Sequence, residues 1–195
     1  MEKLRKQLKE YMPWNEQEAA DLPLILYHLE HTPDVFSRKS EVCHFTASAW
    51  VVTPDRDAVL MAYHNIYNSW AWLGGHADGE TNLSLTACRE AKEESGIEVL
   101  RPVTDDILSV EILTVNGHEK KGIYVPSHLH LNVTYLFEAD PSGAICCQPE
   151  ENSGVAWIPV EEIGRKSSEP WFCERIYSKL CDKTAALYPP ERRVL

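Results

Sequence analysis

The segment from Gly74 to Ile97 constrains the fold of this 195-residue chain most strongly, because it joins a glycine pair to an acidic helix. Two adjacent glycines, Gly74 and Gly75, allow backbone conformations that other residues avoid. A helical pattern begins near Leu83, and Gly96 is a typical residue for ending a helix. The segment therefore predicts a loop followed by a helix, with the short apolar run from Trp70 to Leu73 leading into it.

Three glutamates of the predicted helix, Glu90, Glu93 and Glu94, share one face because they are three and four residues apart. The neighbouring face is apolar and carries Leu83, Ala87 and Ala91. Carboxylates are hard ligands suited to Mg²⁺ or Mn²⁺, whose coordination substrate phosphates and water can complete. Taken alone, the same glutamates also fit a solvated acidic helix surface on which Lys92 pairs with its neighbours.

The composition excludes some classes of partner. The formal net charge of −11 argues against binding a nucleic acid polymer, which requires clustered Lys and Arg. No apolar run is long enough for a signal peptide or a membrane span, so we expect a cytoplasmic protein with no membrane partner. The six cysteines lack CxxC spacing and are interpreted as reduced thiols.

The remaining periodicity predicts one domain of several strands and a few helices. A helical pair is predicted from Glu2 to Glu30, with a break near Pro13, and a helix from Trp171 to Leu187. Strands are predicted at Cys43–Thr53, Ala58–His64, Ile107–Val115, His128–Glu138 and Ala156–Val160, with a lesser candidate at Gly143–Cys147. Such a mixture suggests a mixed sheet between helices.

The residues from Gly75 to Ile97 resemble the Nudix box, the signature of the Nudix hydrolases. Counted from Gly75, the chain matches the signature at Arg89, Glu90, Glu93, Glu94, Gly96 and Ile97, with Ala91 in an aliphatic position. It departs at one position, where Thr81 replaces a glutamate that is mainly structural in the family and Glu80 stands one place earlier. The departure concerns how the loop is braced more than how metals are bound.

The resemblance implies an α/β fold, a Nudix-type αβα sandwich with a mixed β-sheet between helices. It divides the chain into an N-terminal helical extension, residues 1–40, and a Nudix domain, residues 41–195. It also implies a Mg²⁺-dependent hydrolase, with Mn²⁺ as an alternative, that cleaves a pyrophosphate linkage in a nucleoside diphosphate-linked or similar small organic diphosphate. The N-terminal helices are expected to cover the pocket or to form a homodimer contact.

The resemblance also assigns roles to box residues. Glu90, Glu93 and Glu94, with the backbone carbonyl of Gly75, are expected to hold the metal ions. Arg89, which would tie the loop to the helix, and Gly96 are expected to be structural. The general base is expected to be Glu151, with Glu150 as its close competitor and Glu94 as an alternative that could accept a proton from a metal-bound water.

Other residues are expected to bind substrate. His128 and His130 share one face of a strand, a spacing that can ligate zinc, but no third ligand is evident, so pocket lining or phosphate contact is favoured. His76 adjoins the double glycine and is expected near the metals or substrate. Arg38 is a candidate for meeting a phosphate, although surface charge is its default interpretation. Trp70 or Trp72 is expected to stack on a base or to pack in the core.

Two other functions compete with hydrolysis. An enzyme like isopentenyl-diphosphate isomerase, which shares the Nudix fold, needs a reactive cysteine before the box, and the approach NSWAWLGGH contains none. A non-catalytic module that binds a diphosphate ligand would be signalled by loss of the box glutamates, which are all present here. Hydrolysis is therefore favoured.

Overall fold

The computed structural model of the chain describes residues 1–66, 68–120, 122–150 and 152–190, without the side chain of residue 120. Its helices are α1 (Glu2–Glu10), α2 (Glu16–His31), α3 (Leu83–Ser95), α4 (Ile163–Lys166), α5 (Pro170–Phe172) and α6 (Ser178–Leu187). Its strands are β1 (Cys43–Val52), β2 (Ala58–His64), β3 (Ser69–Ala71), β4 (Leu73–His76), β5 (Arg101–Pro102), β6 (Ser109–Val115), β7 (His118–Lys120), β8 (Ile123–Val125), β9 (His128–Glu138) and β10 (Asn152–Pro159). No helix among these residues is long and apolar enough to cross a membrane.

Eight strands form one mixed sheet with β1 at its centre. The main path runs β10-β2-β1-β9-β5, while β3 pairs with β2, β4 with β1 and β6 with β9. β1 and β9 run parallel in register from Cys43↔Leu129 to Val52↔Glu138, whereas the other pairs are antiparallel. Every residue of β1 is buried, as expected for a central strand that is covered on both faces.

The two faces of the sheet are covered by different helices. Phe45, Ala47 and Ala49 of β1 belong to the core that also contains the apolar face of α3. Trp50 and Val52, at the alternate positions, belong to the core that contains residues of α6. The predicted αβα sandwich with a mixed sheet is therefore confirmed.

The N-terminal helices pack onto the rest of the chain through a buried charge cluster, which we define as Glu18, Glu111, Lys179 and Lys183. Glu18 Oε1 lies 3.3 Å from Nζ of Lys179 and 3.1 Å from Nζ of Lys183, and Lys179 Nζ lies 3.0 Å from Glu111 Oε1. Burial opposes the charge on Glu18, but the two ammonium groups, together with hydrogen bonds from the Trp14 N–H and the Ser109 hydroxyl, hold the pKa of its carboxyl below the usual value. α2 is thereby tied to β6 and α6.

Some predicted elements differ from the structure. Gly143–Cys147, the lesser strand candidate, is not a strand: the Cys146 N–H donates to the carbonyl of Ser95 at the end of α3. The predicted helix from Trp171 to Leu187 is interrupted by a π-helical segment at Cys173–Tyr177. The short strands β3, β4, β5, β7 and β8 were not predicted, because two to four residues carry too little periodicity.

Candidate active site

The carboxylate face of α3 lies against the glycine pair. Glu94 Oε2 accepts a hydrogen bond of 2.8 Å from the Gly74 N–H, and the Glu94 side chain is buried. A Cβ atom on Gly75 would collide with the Glu90 carboxylate, so only glycine allows that carboxylate to approach the β4 backbone so closely. Helix α3 holds both groups because Leu83, Ala87 and Ala91 anchor its other face in the core.

Arg89 pairs within its own helix. Its Nη1 lies 2.7 Å from Glu90 Oε1 and 3.3 Å from Glu93 Oε2. Glu93 is the most accessible of the three box glutamates, with 56% of its side chain exposed. In the preceding loop, Glu80 Oε1 accepts a hydrogen bond of 2.7 Å from the Asn82 N–H, so the displaced glutamate braces the start of α3 locally. The positive charge of Arg89 therefore offsets part of the negative charge of Glu90 and Glu93.

A cavity of about 440 Å³ opens beside these carboxylates. Gly74, Gly75, Glu90 and Glu94 line one side of it. An aromatic wall lines another side and consists of Trp72, Phe172 and Tyr177. The Trp72 ring meets the Phe172 and Tyr177 rings edge to face, at centroid distances of 6.3 and 5.8 Å. The cavity thus places acidic groups near a flat apolar surface.

The floor of the cavity is polar and is positioned by the buried charge cluster. Asn132 of β9 accepts hydrogen bonds of 3.0 Å at Oδ1 from the hydroxyls of Thr46 and Ser48 of β1. Its amide nitrogen donates to Glu111 Oε2 at 3.0 Å, and Glu111 in turn accepts from Lys179. Asn132 is therefore fixed in orientation, since both ends of its amide are engaged.

Two acids of the later chain also line the cavity, Glu150 and Glu169. Burial raises the pKa of the Glu169 carboxyl, which favours its neutral form compared with an exposed glutamate. Glu151, the predicted general base, lies outside the described residues, next to Glu150.

Arg38 and Trp70 are not among the described residues that line the cavity. Arg38 forms a two-point ion pair with Asp78, with Nε–Oδ1 and Nη2–Oδ2 distances of 2.8 and 2.6 Å, on the protein surface. The Trp70 ring meets the Tyr63 ring edge to face and approaches Gly154. Residues two apart on one strand would share a face, but Trp70 lies in β3 and Trp72 lies in the break between β3 and β4, and it is Trp72 that lines the cavity.

The three predicted histidines come together with a fourth, His44 of β1. His76 and His130 line the cavity, and His128 Nε2 lies 3.2 Å from His130 Nε2. Burial, assisted by the neighbouring imidazoles, lowers the pKa of His130 to about 2, and burial also lowers the pKa of His44. Both rings are therefore neutral at physiological pH.

Several cavity residues were not predicted. Sequence reasoning did not identify the floor residues Thr46, Ser48 and Asn132, the wall residues Phe172 and Tyr177, or His44. The alternation His44, Thr46, Ser48 in an otherwise apolar strand is the signal that could have found three of them, since alternate residues share one face. The parallel register that sets β1 beside β9 leaves no such signal in the sequence.

Comparison with known proteins agrees with this geometry. A family model described as the NUDIX domain matches residues 44–179, while no curated protein matches the chain.

Solved structures with a similar fold include three proteins of low sequence identity. The Nudix hydrolase RenU from M. smegmatis is 18% identical over 77% of this chain and 90% of that chain, with a TM-score of 0.54. A UDP-X diphosphatase is 14% identical over 97% of this chain and 80% of that chain, with a TM-score of 0.55. The MutT protein from Methanosarcina mazei Go1 is 15% identical over 74% and 96%, with a TM-score of 0.51. Because the family match spans most of the chain and includes the whole segment from Gly75 to Ile97, this chain belongs to the NUDIX family, the Nudix hydrolases.

Proposed function

We propose that this Nudix enzyme is a Mg²⁺-dependent hydrolase that cleaves the pyrophosphate linkage of a nucleoside diphosphate-linked or similar small organic diphosphate. The observation that carries the proposal is the convergence of Glu90 and Glu94 on the glycine pair at the edge of the cavity. Family membership supplies the reaction class, and the cavity supplies the room for a small molecule.

The donor set fits a hard divalent cation. Glu90, Glu93 and Glu94 offer carboxylate oxygens on one face of α3, and the Gly75 carbonyl is the expected backbone ligand. When bound there, Mg²⁺ would neutralise charge on the diphosphate and lower the pKa of an attacking water. Mn²⁺ prefers similar oxygen ligands, so we expect it to substitute. Arg89 holds Glu90 and Glu93 close to each other.

The general base is proposed to be Glu151, with Glu150 as its close competitor and Glu94 as the alternative. Glu150 lines the cavity, which supports a catalytic role for an acid of this loop. Replacing Glu151 by Gln should lower kcat by roughly 10²- to 10⁴-fold and remove the acid limb of the pH–rate profile. Wild-type kcat in this variant would assign the role to Glu150 or Glu94 instead.

The aromatic wall supports a substrate with a flat group. Trp72 and Phe172 are partly exposed in the cavity, so a nucleobase could stack on them while its diphosphate reaches Glu90 and Glu94. Glu169, whose carboxyl has its pKa raised by burial, also lines the cavity and offers a hydrogen-bonding group to a polar part of the substrate. The UDP-X diphosphatase, whose fold spans 97% of this chain, is consistent with a nucleoside diphosphate-linked substrate.

Turnover of a panel of diphosphates tests the proposal. Nucleotide sugars, ADP-ribose, dinucleoside polyphosphates, oxidised nucleotides and non-nucleotide diphosphates would be incubated with the enzyme, and phosphate-containing products would be measured with and without Mg²⁺. We expect Mg²⁺-dependent cleavage of at least one nucleoside diphosphate-linked compound. Binding of such compounds without any turnover would instead identify a non-catalytic module.

A further inference from the structure

Three neighbouring strands bring four histidines to one point at the end of the cavity. His44 on β1 pairs in register with His130 on β9, and His76 on β4 pairs with the residue two places after His44. His128 lies two residues before His130 on the same face of β9. One ligand nitrogen from each ring lies within 4.8 Å of those of the other three. We define these residues as the histidine cluster.

Hydrogen bonds fix two of these rings in the tautomer that presents Nε2 to the centre. His44 Nδ1 lies 3.0 Å from the Ser40 carbonyl, and His128 Nδ1 lies 2.9 Å from the Pro126 carbonyl. A carbonyl oxygen only accepts hydrogen bonds, so each Nδ1 carries the proton and each Nε2 keeps its lone pair. Metal-bound histidines are oriented by outer contacts of this kind.

His44 leaves a lone pair buried. Its side chain is 4% exposed, and within the described part of the chain His44 Nε2 has no hydrogen-bond partner. A buried polar atom without a partner costs free energy and calls for an explanation such as a bound ion. The position of His44 among the three other imidazoles supplies that explanation.

The spacing of the nitrogens fits tetrahedral coordination. With zinc–nitrogen bonds of about 2.0–2.1 Å, adjacent ligands in a tetrahedron are about 3.3–3.4 Å apart. His128 Nε2 and His130 Nε2 already lie 3.2 Å apart. The remaining nitrogens, within 4.8 Å of one another, need to move inward by less than about 1 Å to reach such a centre.

We propose that His44, His76, His128 and His130 bind a zinc ion, at a site distinct from the carboxylate site of α3. Neutral imidazole nitrogens suit zinc and similar borderline transition metals, whereas Mg²⁺ prefers oxygen ligands. Four protein ligands close the coordination sphere, so the ion is structural. It joins β4 to β1 and β9, and it thereby fixes Gly75, the residue next to His76, beside the cavity.

Metal content of the full-length protein tests the site. Protein purified from zinc-supplemented cells would be analysed by elemental mass spectrometry, and cobalt-substituted protein by visible absorption. We expect zinc equimolar with the chain and the intense visible bands of tetrahedral cobalt. Protein that contains no zinc, and that shows no such bands with cobalt, would overturn the proposal.

Variants locate the ion and separate this proposal from the catalytic one. His44→Gln and His128→Gln should lose the zinc, whereas His31→Gln, which changes an exposed histidine of α2, should retain it. Glu93→Gln should keep the zinc while losing hydrolysis, so the two proposals fail independently. Equal zinc content in His44→Gln and His31→Gln would place the ion elsewhere and contradict the assignment.

Two further measurements distinguish zinc binding from poor folding of a variant and from a role of the histidines in binding substrate phosphates. Zinc chelation should lower the melting temperature of the wild-type protein but not that of His128→Gln. Each protein is compared with itself before and after chelation, so the variant does not need to be as stable as the wild type. If the histidines instead contact substrate phosphates, the wild type will contain no zinc and His130→Gln will raise KM. That result would also overturn the zinc proposal.

Discussion

At the scale of single residues, Gly75 decides how closely α3 approaches β4. A methyl group at this position would occupy the space of the Glu90 carboxylate. We predict that Gly75→Ala displaces that carboxylate and lowers kcat/KM by roughly 10²-fold, since a displacement of about 1 Å in a catalytic constellation has effects of this size. Steady-state kinetics with a turned-over diphosphate measures the loss.

Gly164→Ala is the matched control for this substitution. Gly164 lies in α4, and a Cβ atom there would meet no atom within 4 Å. Its kcat/KM should equal that of the wild type, and its stability should not fall because alanine favours helix. Equal activity of the two alanine variants would show that the contact between Gly75 and Glu90 does not matter for catalysis.

Individual residues differed in how well the sequence predicted their positions. The shared face of Glu90 and Glu94 followed from helical spacing, and the structure brings both to the glycine pair. The choice between Trp70 and Trp72 depended on the break between β3 and β4 at residue 72, which the local sequence pattern does not encode. His44 was missed because its partners come from β4 and β9, far away in sequence.

At the scale of elements, long periodic segments were predicted and short or irregular ones were not. α3 begins at Leu83 and ends at Ser95, and Gly96 adopts a left-handed conformation with φ 69° as its cap. β1, β6 and β9 fall within a residue or two of their predicted bounds. The π-helical segment at Cys173–Tyr177 interrupts a regular apolar pattern, and it ends at Tyr177, which is buried in the core.

The contact between α2 and α6 depends on Glu18. We predict that Glu18→Gln lowers the free energy of unfolding by about 3–5 kcal/mol, because it leaves the buried ammonium groups of Lys179 and Lys183 without their shared carboxylate. Urea denaturation measures this change. Glu16→Gln on the same helix removes only an exposed ion pair with Arg175 and should change stability by less than about 1 kcal/mol. Equal unfolding free energies of the two variants would show that Glu18 does not stabilise the fold through the buried charge cluster.

The same carboxylate makes stability depend on pH. The pKa of Glu18 is lower in the folded protein than its reference value of 4.5, so its contribution is fully present above about pH 4.5 and is lost as the pH falls through the folded pKa. The difference in unfolding free energy between wild type and Glu18→Gln should therefore shrink below pH 4.5. A difference that stays constant down to the acid unfolding transition would contradict the lowered pKa.

At the scale of the whole molecule, the sequence predicted the αβα sandwich but not how the N-terminal helices join it. The boundary between residues 1–40 and 41–195 followed from the extent of the family signature, and it stays a prediction. In the structure, α2 contributes Glu18 to the buried charge cluster and packs along β6. The fold match to the UDP-X diphosphatase spans 97% of this chain, so it includes most of this N-terminal part.

We predict that residues 41–195 do not form a stable domain alone. Removing α1 and α2 would expose apolar core and leave Lys179 and Lys183 without Glu18. The truncated chain should show a lower melting temperature than the full chain, or no cooperative transition, in thermal denaturation followed by circular dichroism. A truncated chain that melts at the full-length temperature would establish the helices as a separable extension.

The activity of Glu93→Gln tests the central claim, that the carboxylates of α3 carry metal-dependent hydrolysis, most directly. Glu93 is largely exposed, so its loss should leave the fold intact. With Mg²⁺ and a diphosphate that the wild type cleaves, kcat should fall by roughly 10²-fold or more, because a cation ligand that stabilises the transition state is removed. Glu98→Gln, an exposed glutamate just beyond the helix, should retain wild-type kcat. Equal kcat in Glu93→Gln and Glu98→Gln would contradict the claim.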